Sequence, residues 1–138
     1  PGTPERLKLQ DALTELRDQF TDIPMVIGGE EIRTNRTVPV RPPHDHHHPL
    51  GHFHDGDGSH AEAAIDAALT ARDAWVTLPW EQRIAIFLKA ADLSATKYRY
   101  RLNAATMLGQ SKNAYQAEID SACEWIDFLR FNAHFATE

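Results

Sequence analysis

The chain has little of the features that would settle its class at once. It has a single cysteine, Cys123, in 138 residues, which excludes an internal disulfide and fits a reducing compartment. No apolar run approaches the ~18 residues of a membrane span, and no signal-peptide pattern opens the sequence. Positive charge is in the minority. The 14 Lys and Arg against 20 Asp and Glu leave a formal charge of −6, and a nucleic-acid surface would instead cluster Lys and Arg. Glycine is also sparse, with seven residues. Neither Gly28-Gly29 nor Leu108-Gly-Gln-Ser-Lys matches GxGxxG or GxxxxGK[ST], so both are expected to be turns rather than phosphate cradles. The first residue is Pro1 rather than Met, which leaves room for a targeting sequence upstream. What remains is ordinary globular composition, 42% hydrophobic and 25% charged, enough for one domain with a modest core.

The local signals are mostly helical. Thr3-Pro4 pairs a hydroxyl cap with proline at the first helical position, and Leu9, Leu13, Leu16 and Phe20 follow at helical spacing. A helix is predicted from about Pro4 to Phe20. Residues 24–33 read as two short strands around a Gly28-Gly29 turn, where positive φ is needed. Further extended segments are expected near Thr37–Val40 and about Pro49–His54, separated by Pro42-Pro43, which forbids a helix. Asp55–Gly58 reads as a loop. Ser59 with Glu62 three residues on predicts a capping box, and Ile65, Ala68, Leu69 and Trp75 give that helix an apolar stripe. Leu78-Pro79-Trp80 restarts the chain into a helix striped by Ile84, Phe87, Leu88 and Ala91. A further helix carries Tyr98, Leu102 and Met107, with Gly109 as its C′ residue. Asn113 is placed to cap a last helix running to about Phe135. The expected class is therefore mainly α with a small N-terminal β-hairpin unit. It forms a single region, 1–138, divided into a helix (1–22), β-hairpin and loops (23–58) and helices (59–138).

Histidines are the main compositional anomaly: His44, His46, His47, His48, His52, His54 and His60. Imidazoles ligate zinc, copper and nickel. The spacing, however, lacks an i, i+4 helical pair, and no cysteine or glutamate nearby completes a tetrahedral set. In a strand His46 and His48 would share a face, as would His52 and His54, making only bidentate patches. Adventitious metal capture is expected, and no dedicated metal site. Asp55-Gly-Asp-Gly-Ser lacks the acidic ligands of a calcium loop. Cys123 has no neighbouring histidine to activate it, so it is expected to be a structural or surface cysteine. In the last helix Ala117, Ser121, Glu124, Phe128 and Phe131 fall on one face, and Ala122, Ile126, Leu129 and Ala133 on another. A helix with two apolar faces is expected to be buried on both sides and, in isolation, to leave a sticky face that promotes self-association. A carboxylate at Glu124 inside such a stripe either pairs with an arginine or acts on a ligand.

Two segments carry a family resemblance. SHAEAAIDAALTARDAWVTLPWEQRIAIFLKAAD, from Ser59 to Asp92 and including Arg83 and Lys89, resembles the N-terminal region of the aldehyde dehydrogenase superfamily. TMLGQSKNAYQAEIDSACEWIDFLRFN, from Thr106 to Asn132, is similar to the subfamily that oxidises L-glutamate γ-semialdehyde, formed from Δ1-pyrroline-5-carboxylate, to glutamate in proline degradation. The resemblance runs from about Pro4 to Glu138. It implies the first part of a discontinuous NAD-binding domain in an α/β fold, with the nucleophilic cysteine, the general-base glutamate and the nicotinamide-binding glycines all beyond Glu138. Neither catalytic nor cofactor-binding residues are then expected in this chain, which alone should neither bind NAD tightly nor oxidise aldehydes. The same resemblance places the last helix along the aldehyde-entry tunnel and so assigns Glu124 and Phe128 to the substrate pocket. The implied partner is the remainder of a homo-oligomeric dehydrogenase, cytoplasmic if bacterial and in the mitochondrial matrix if eukaryotic. The alternative is a self-contained, non-catalytic helical interaction module.

Overall fold

The computed structural model describes residues 2–138. Helix α1 (Pro4–Asp18) begins at the Thr3 cap, whose hydroxyl accepts from the Arg6 N–H, with Pro4 at the first helical position. It stops two residues short of Phe20, because the chain turns into a strand that the sequence did not announce, β1 (Thr21–Ile23). The hairpin β2 (Met25–Ile27) and β3 (Glu30–Ile32) is as expected. Gly28 and Gly29 have φ of 60° and 89°, the two left-handed positions of a two-residue hairpin turn. Strands β4 (Thr37–Val40) and β5 (Gly51–His54) also fall where read, but β1 joins them in a sheet ordered β1-β5-β4. Strand β5 runs parallel to β1 and antiparallel to β4. At Gly51 a Cβ would lie 2.0 Å from the Thr21 carbonyl oxygen, so this approach admits only glycine. It fixes the register in which Asp22 lies beside His52.

A charge cluster clasps the hairpin to that sheet. Arg33, just past β3, reaches Asp22 of β1 at 2.7 Å and Glu31 at 2.9 Å. The Asp22 carboxylate also takes the His52 and His54 Nε2 groups at 2.7 and 2.8 Å. Arg33 first, then His54, hold its pKa down at about 2.

The second half is helical: α2 (Gly58–Thr77), α3 (Trp80–Ala95), α4 (Arg99–Gln110), α5 (Ala114–Ala117), a π-helical turn (Glu118–Cys123) and α6 (Glu124–Phe135). Two expected boundaries are corrected. The cap of α2 is Asp57, not Ser59 with Glu62: the Asp57 carboxylate accepts from the Ser59 and His60 amides, and the His60 ring completes the box. An aspartate two residues upstream reaches the free amides first. Its pKa is held well below the carboxylate range, chiefly by the Ser59 hydroxyl and then by His60. Helix α4 runs through Gly109, and Ser111, at φ 57°, takes the left-handed position that ends it. Its Oγ hydrogen-bonds His44 Nδ1 at 2.6 Å, a local tie that favours serine there. Asn113 caps α5 as expected, in a box with Gln116.

The core lies between α3, α4 and the last helical run. Ala91, Ala104, Ala117 and Ala122 are fully enclosed, with Ile126, Leu129 and Ala133 beside them. Of the expected α3 stripe only Ala91 is buried, and Phe87 and Leu88 stay exposed. Helix α2 rests on β2, with Ala67 beside Gly28, and buries none of its residues.

Two outcomes follow. Gly51→Ala is expected to push β1 off β5 and lower stability by about 1–3 kcal/mol, read as a drop in the thermal unfolding midpoint. A neutral shift would mean that the strands separate without consequence. Asp22 has a folded pKa below its unfolded value, so its stabilisation is complete above about pH 4 and is lost as pH falls toward 2. The midpoint gap between wild type and Asp22→Asn should therefore be constant near neutrality and close on acidification. A gap unchanged down to that range would contradict the assignment.

Candidate functional site

A π turn interrupts the last helical run between α5 and α6. A π turn closes i→i+5 rather than i→i+4 hydrogen bonds and inserts one extra residue; the Glu124 N–H accordingly bonds to the Ile119 carbonyl, five residues back. Buried positions therefore step from Ala117 to Ala122, then to Ile126, Leu129 and Ala133. Constant helical spacing had put Ser121 on the same face as Ala117, whereas here Ser121 is only partly covered and bonds its hydroxyl to the Leu102 carbonyl. The second expected face, from Ala122 to Ala133, is the one that packs.

The first expected face is open. Glu124 is exposed, and its carboxylate makes neither ion pair nor hydrogen bond among the described residues. Phe128 and Phe131 are 60% and 57% exposed on either side of the next turn, and Phe131 stacks with Phe135 at 6.4 Å. Within this chain, then, one face of the helix packs and the other stands open. Trp125 lays its indole N–H on Ser94 Oγ at 3.1 Å, pinning α6 to α3.

Behind this face Glu118 anchors the π turn. Its carboxylate takes the Arg99 guanidinium and the Asn103 amide of α4. The Cys123 thiol lies 3.7 Å from the same carboxylate. Burial, and then the Glu118 charge, push its pKa up, the opposite of what a nucleophile needs. On the far side of α6, Trp75, Trp80, Arg83, Phe87, Asn132 and Ala133 line a cleft of about 370 Å³. The buried Nε of Arg83 has no acceptor among the described residues. The sequence showed Arg83 only as one charge on an amphipathic helix.

The histidine tract disperses. Residues 44–48 form turns, not the strand that would align His46 with His48. His48 Nε2 bonds the Arg17 carbonyl and His60 joins the α2 cap. His52 and His54 do share a face of β5, but with a third ligand atom that spacing could not reveal. Asp22, thirty residues earlier, brings a carboxylate to both rings, and these donor atoms lie within 4.8 Å of one another.

Residues 31–138 match the aldehyde dehydrogenase family. The chain is 52% identical over 139 residues to a delta-1-pyrroline-5-carboxylate dehydrogenase of Agaricus bisporus, all of this chain matching 26% of that protein. It is 46% identical over 137 residues to the mouse delta-1-pyrroline-5-carboxylate dehydrogenase, named as mitochondrial, with 99% of this chain covering 24% of it. The delta-pyrroline-5-carboxylate dehydrogenase of Mycobacterium tuberculosis, in a structure bound with NAD, superposes with a TM-score of 0.95 at 47% identity, over 99% of this chain and 26% of that one. The chain thus spans about a quarter of the length of these relatives. Sheet, clasp and helical run all lie within that superposition, and the chain belongs to the aldehyde dehydrogenase family.

Proposed function

We propose that this chain is the N-terminal scaffold of an NAD-dependent dehydrogenase that oxidises L-glutamate γ-semialdehyde to glutamate, with Glu124 and Phe128 facing the substrate. The observation that supports this most is the near-complete match of the chain, at 46–52% identity, to proteins bearing that enzyme's name. A self-contained helical module would give no reason for such a match.

The residues here do not fit NAD. Gly28 and Gly29 close a hairpin rather than lead into a helix. At the α2 start the Asp57 carboxylate occupies the free amides and would repel a phosphate. The nucleophile, the base and the cofactor site belong to the other three quarters of the enzyme in this reading, as do its homo-oligomeric contacts. In a eukaryote the mitochondrial matrix is the fitting compartment, as the name of the mouse relative has it.

What this chain contributes is a charged, aromatic wall. An exposed carboxylate without a partner, beside two open phenyl rings, suits a substrate with an ammonium group on a short aliphatic body. Its negative charge favours the orientation that holds the ammonium near and the substrate carboxylate away. In the full-length enzyme Glu124→Ala should raise KM or lower kcat/KM for glutamate semialdehyde by about ten- to a hundredfold, the worth of a charge-assisted contact. NAD affinity and turnover of a simple aliphatic aldehyde should hold. Unchanged kinetics with the semialdehyde would remove Glu124 from the substrate wall.

A further inference from the structure

We propose that Asp22, His52 and His54 form a binding site for a divalent transition-metal ion on the β1–β5 strand pair. Residues two apart on a strand point the same way, so β5 presents both imidazoles on one face. The Gly51–Thr21 contact fixes the parallel register that sets Asp22 opposite His52. The result is two Nε2 atoms converging on one carboxylate oxygen, at 2.7 and 2.8 Å. A bound ion would take the place of the imidazole protons in those contacts. Zinc sits about 2.0–2.1 Å from imidazole nitrogen and carboxylate oxygen alike, which sets neighbouring ligand atoms roughly 3.3 Å apart. The set must open by only about half an ångström, and Asp22 and His52 are exposed enough to do so.

The surroundings are prepared for it. His54, 8% exposed, has its Nδ1 2.9 Å from the Thr34 N–H, which donates to it, and 2.9 Å from the Thr34 carbonyl oxygen. Without metal Nδ1 accepts and the Nε2 proton goes to Asp22; an ion on Nε2 would move the proton to Nδ1, where the Thr34 carbonyl is in place to accept it, the usual backing of a metal-bound histidine. Phe20 packs on the His52 ring at 5.3 Å. Arg33 occupies the other Asp22 oxygen, yet it is shared with Glu31. The three charges sum to −1, from two carboxylates and one guanidinium, so a cation is still drawn in. Two imidazoles and one carboxylate suit Zn²⁺, Co²⁺, Ni²⁺ or Cu²⁺ rather than Mg²⁺ or Ca²⁺. The remaining positions are open to water. Spacing alone counted the two histidines as a bidentate patch, because it could not bring Asp22 to them.

The test uses the chain purified without a metal column and stripped with chelator. Titration with ZnCl₂ by calorimetry should show one ion per chain, with proton release as ligands deprotonate, and CoCl₂ should give the visible absorption of imidazole-ligated cobalt. His52→Ala should weaken binding by about a hundredfold and abolish the cobalt spectrum, and Arg33→Gln should tighten it. His46→Ala/His47→Ala, in the exposed loop, should change nothing. Circular dichroism of each variant separates loss of ligand from loss of fold, and His52→Gln repeats the deletion at nearly constant volume should His52→Ala unfold. Affinity unmoved by both His52 variants, binding lost with the loop pair, or no stoichiometric uptake by wild type would each overturn the site.

Discussion

Close approach of helix backbones across alanine holds the helical half together. Ala91 of α3, Ala104 of α4, Ala117 of α5 and Ala122 of the π turn are all fully enclosed, and a methyl group at the contact lets helix axes come to the near end of the usual 8–10 Å. A seam of methyls gains little from burial, since stabilisation scales with apolar area. Directional ties therefore supplement it: Glu118 to Arg99 and Asn103, and Trp125 to Ser94. Larger apolar groups point the other way, with Ile65, Leu69, Phe87, Phe128 and Phe131 all exposed. This inversion, small residues inside and large ones outside, leaves bulky apolar faces uncovered and fits the proposed role of the chain as scaffold.

How much of this could be read from sequence depends on the range of the interaction. The Thr3-Pro4 start, the Gly28-Gly29 hairpin, β4 and the Asn113 cap rest on residues within four positions of each other, and all were legible. The α2 cap was misread although its signal is local, because two candidates, Asp57 and Ser59, sit side by side and the aspartate wins the free amides. Ser111 was passed over for Gly109 because its left-handed backbone is held by His44, 67 residues away. Strand β1 could not be seen at all. Three residues are too short for a period, and its partner β5 begins 30 residues later.

The candidate sites follow the same rule. Glu124 and Phe128 were singled out by family resemblance and helical spacing, and both are exposed on the open face of the last helix. Their supposed neighbour Ser121 was misphased because spacing rules assume an uninterrupted α-helix. Asp22 joins His52 and His54 only through parallel pairing, and the unpartnered Arg83 Nε emerges only once α3 and α6 are packed. Charge and residue type were available in one dimension; convergence was not.

The π turn also sets how the last helix tolerates a change of length. A π turn is equivalent to one residue inserted into an α-helix, and each residue of an α-helix advances about 100°. The wide turn absorbs that residue, which is why the enclosed positions step by five from Ala117 to Ala122 and still share a face. Removing one position between Glu118 and Cys123 and returning to regular winding would make that step four and leave Ile126 and Leu129 on the alanine seam. Regular winding without such a removal would instead swing everything downstream by about 100° and carry them off it. A one-residue gap in this segment would therefore remove the wide turn itself and spare the register of the helix that follows.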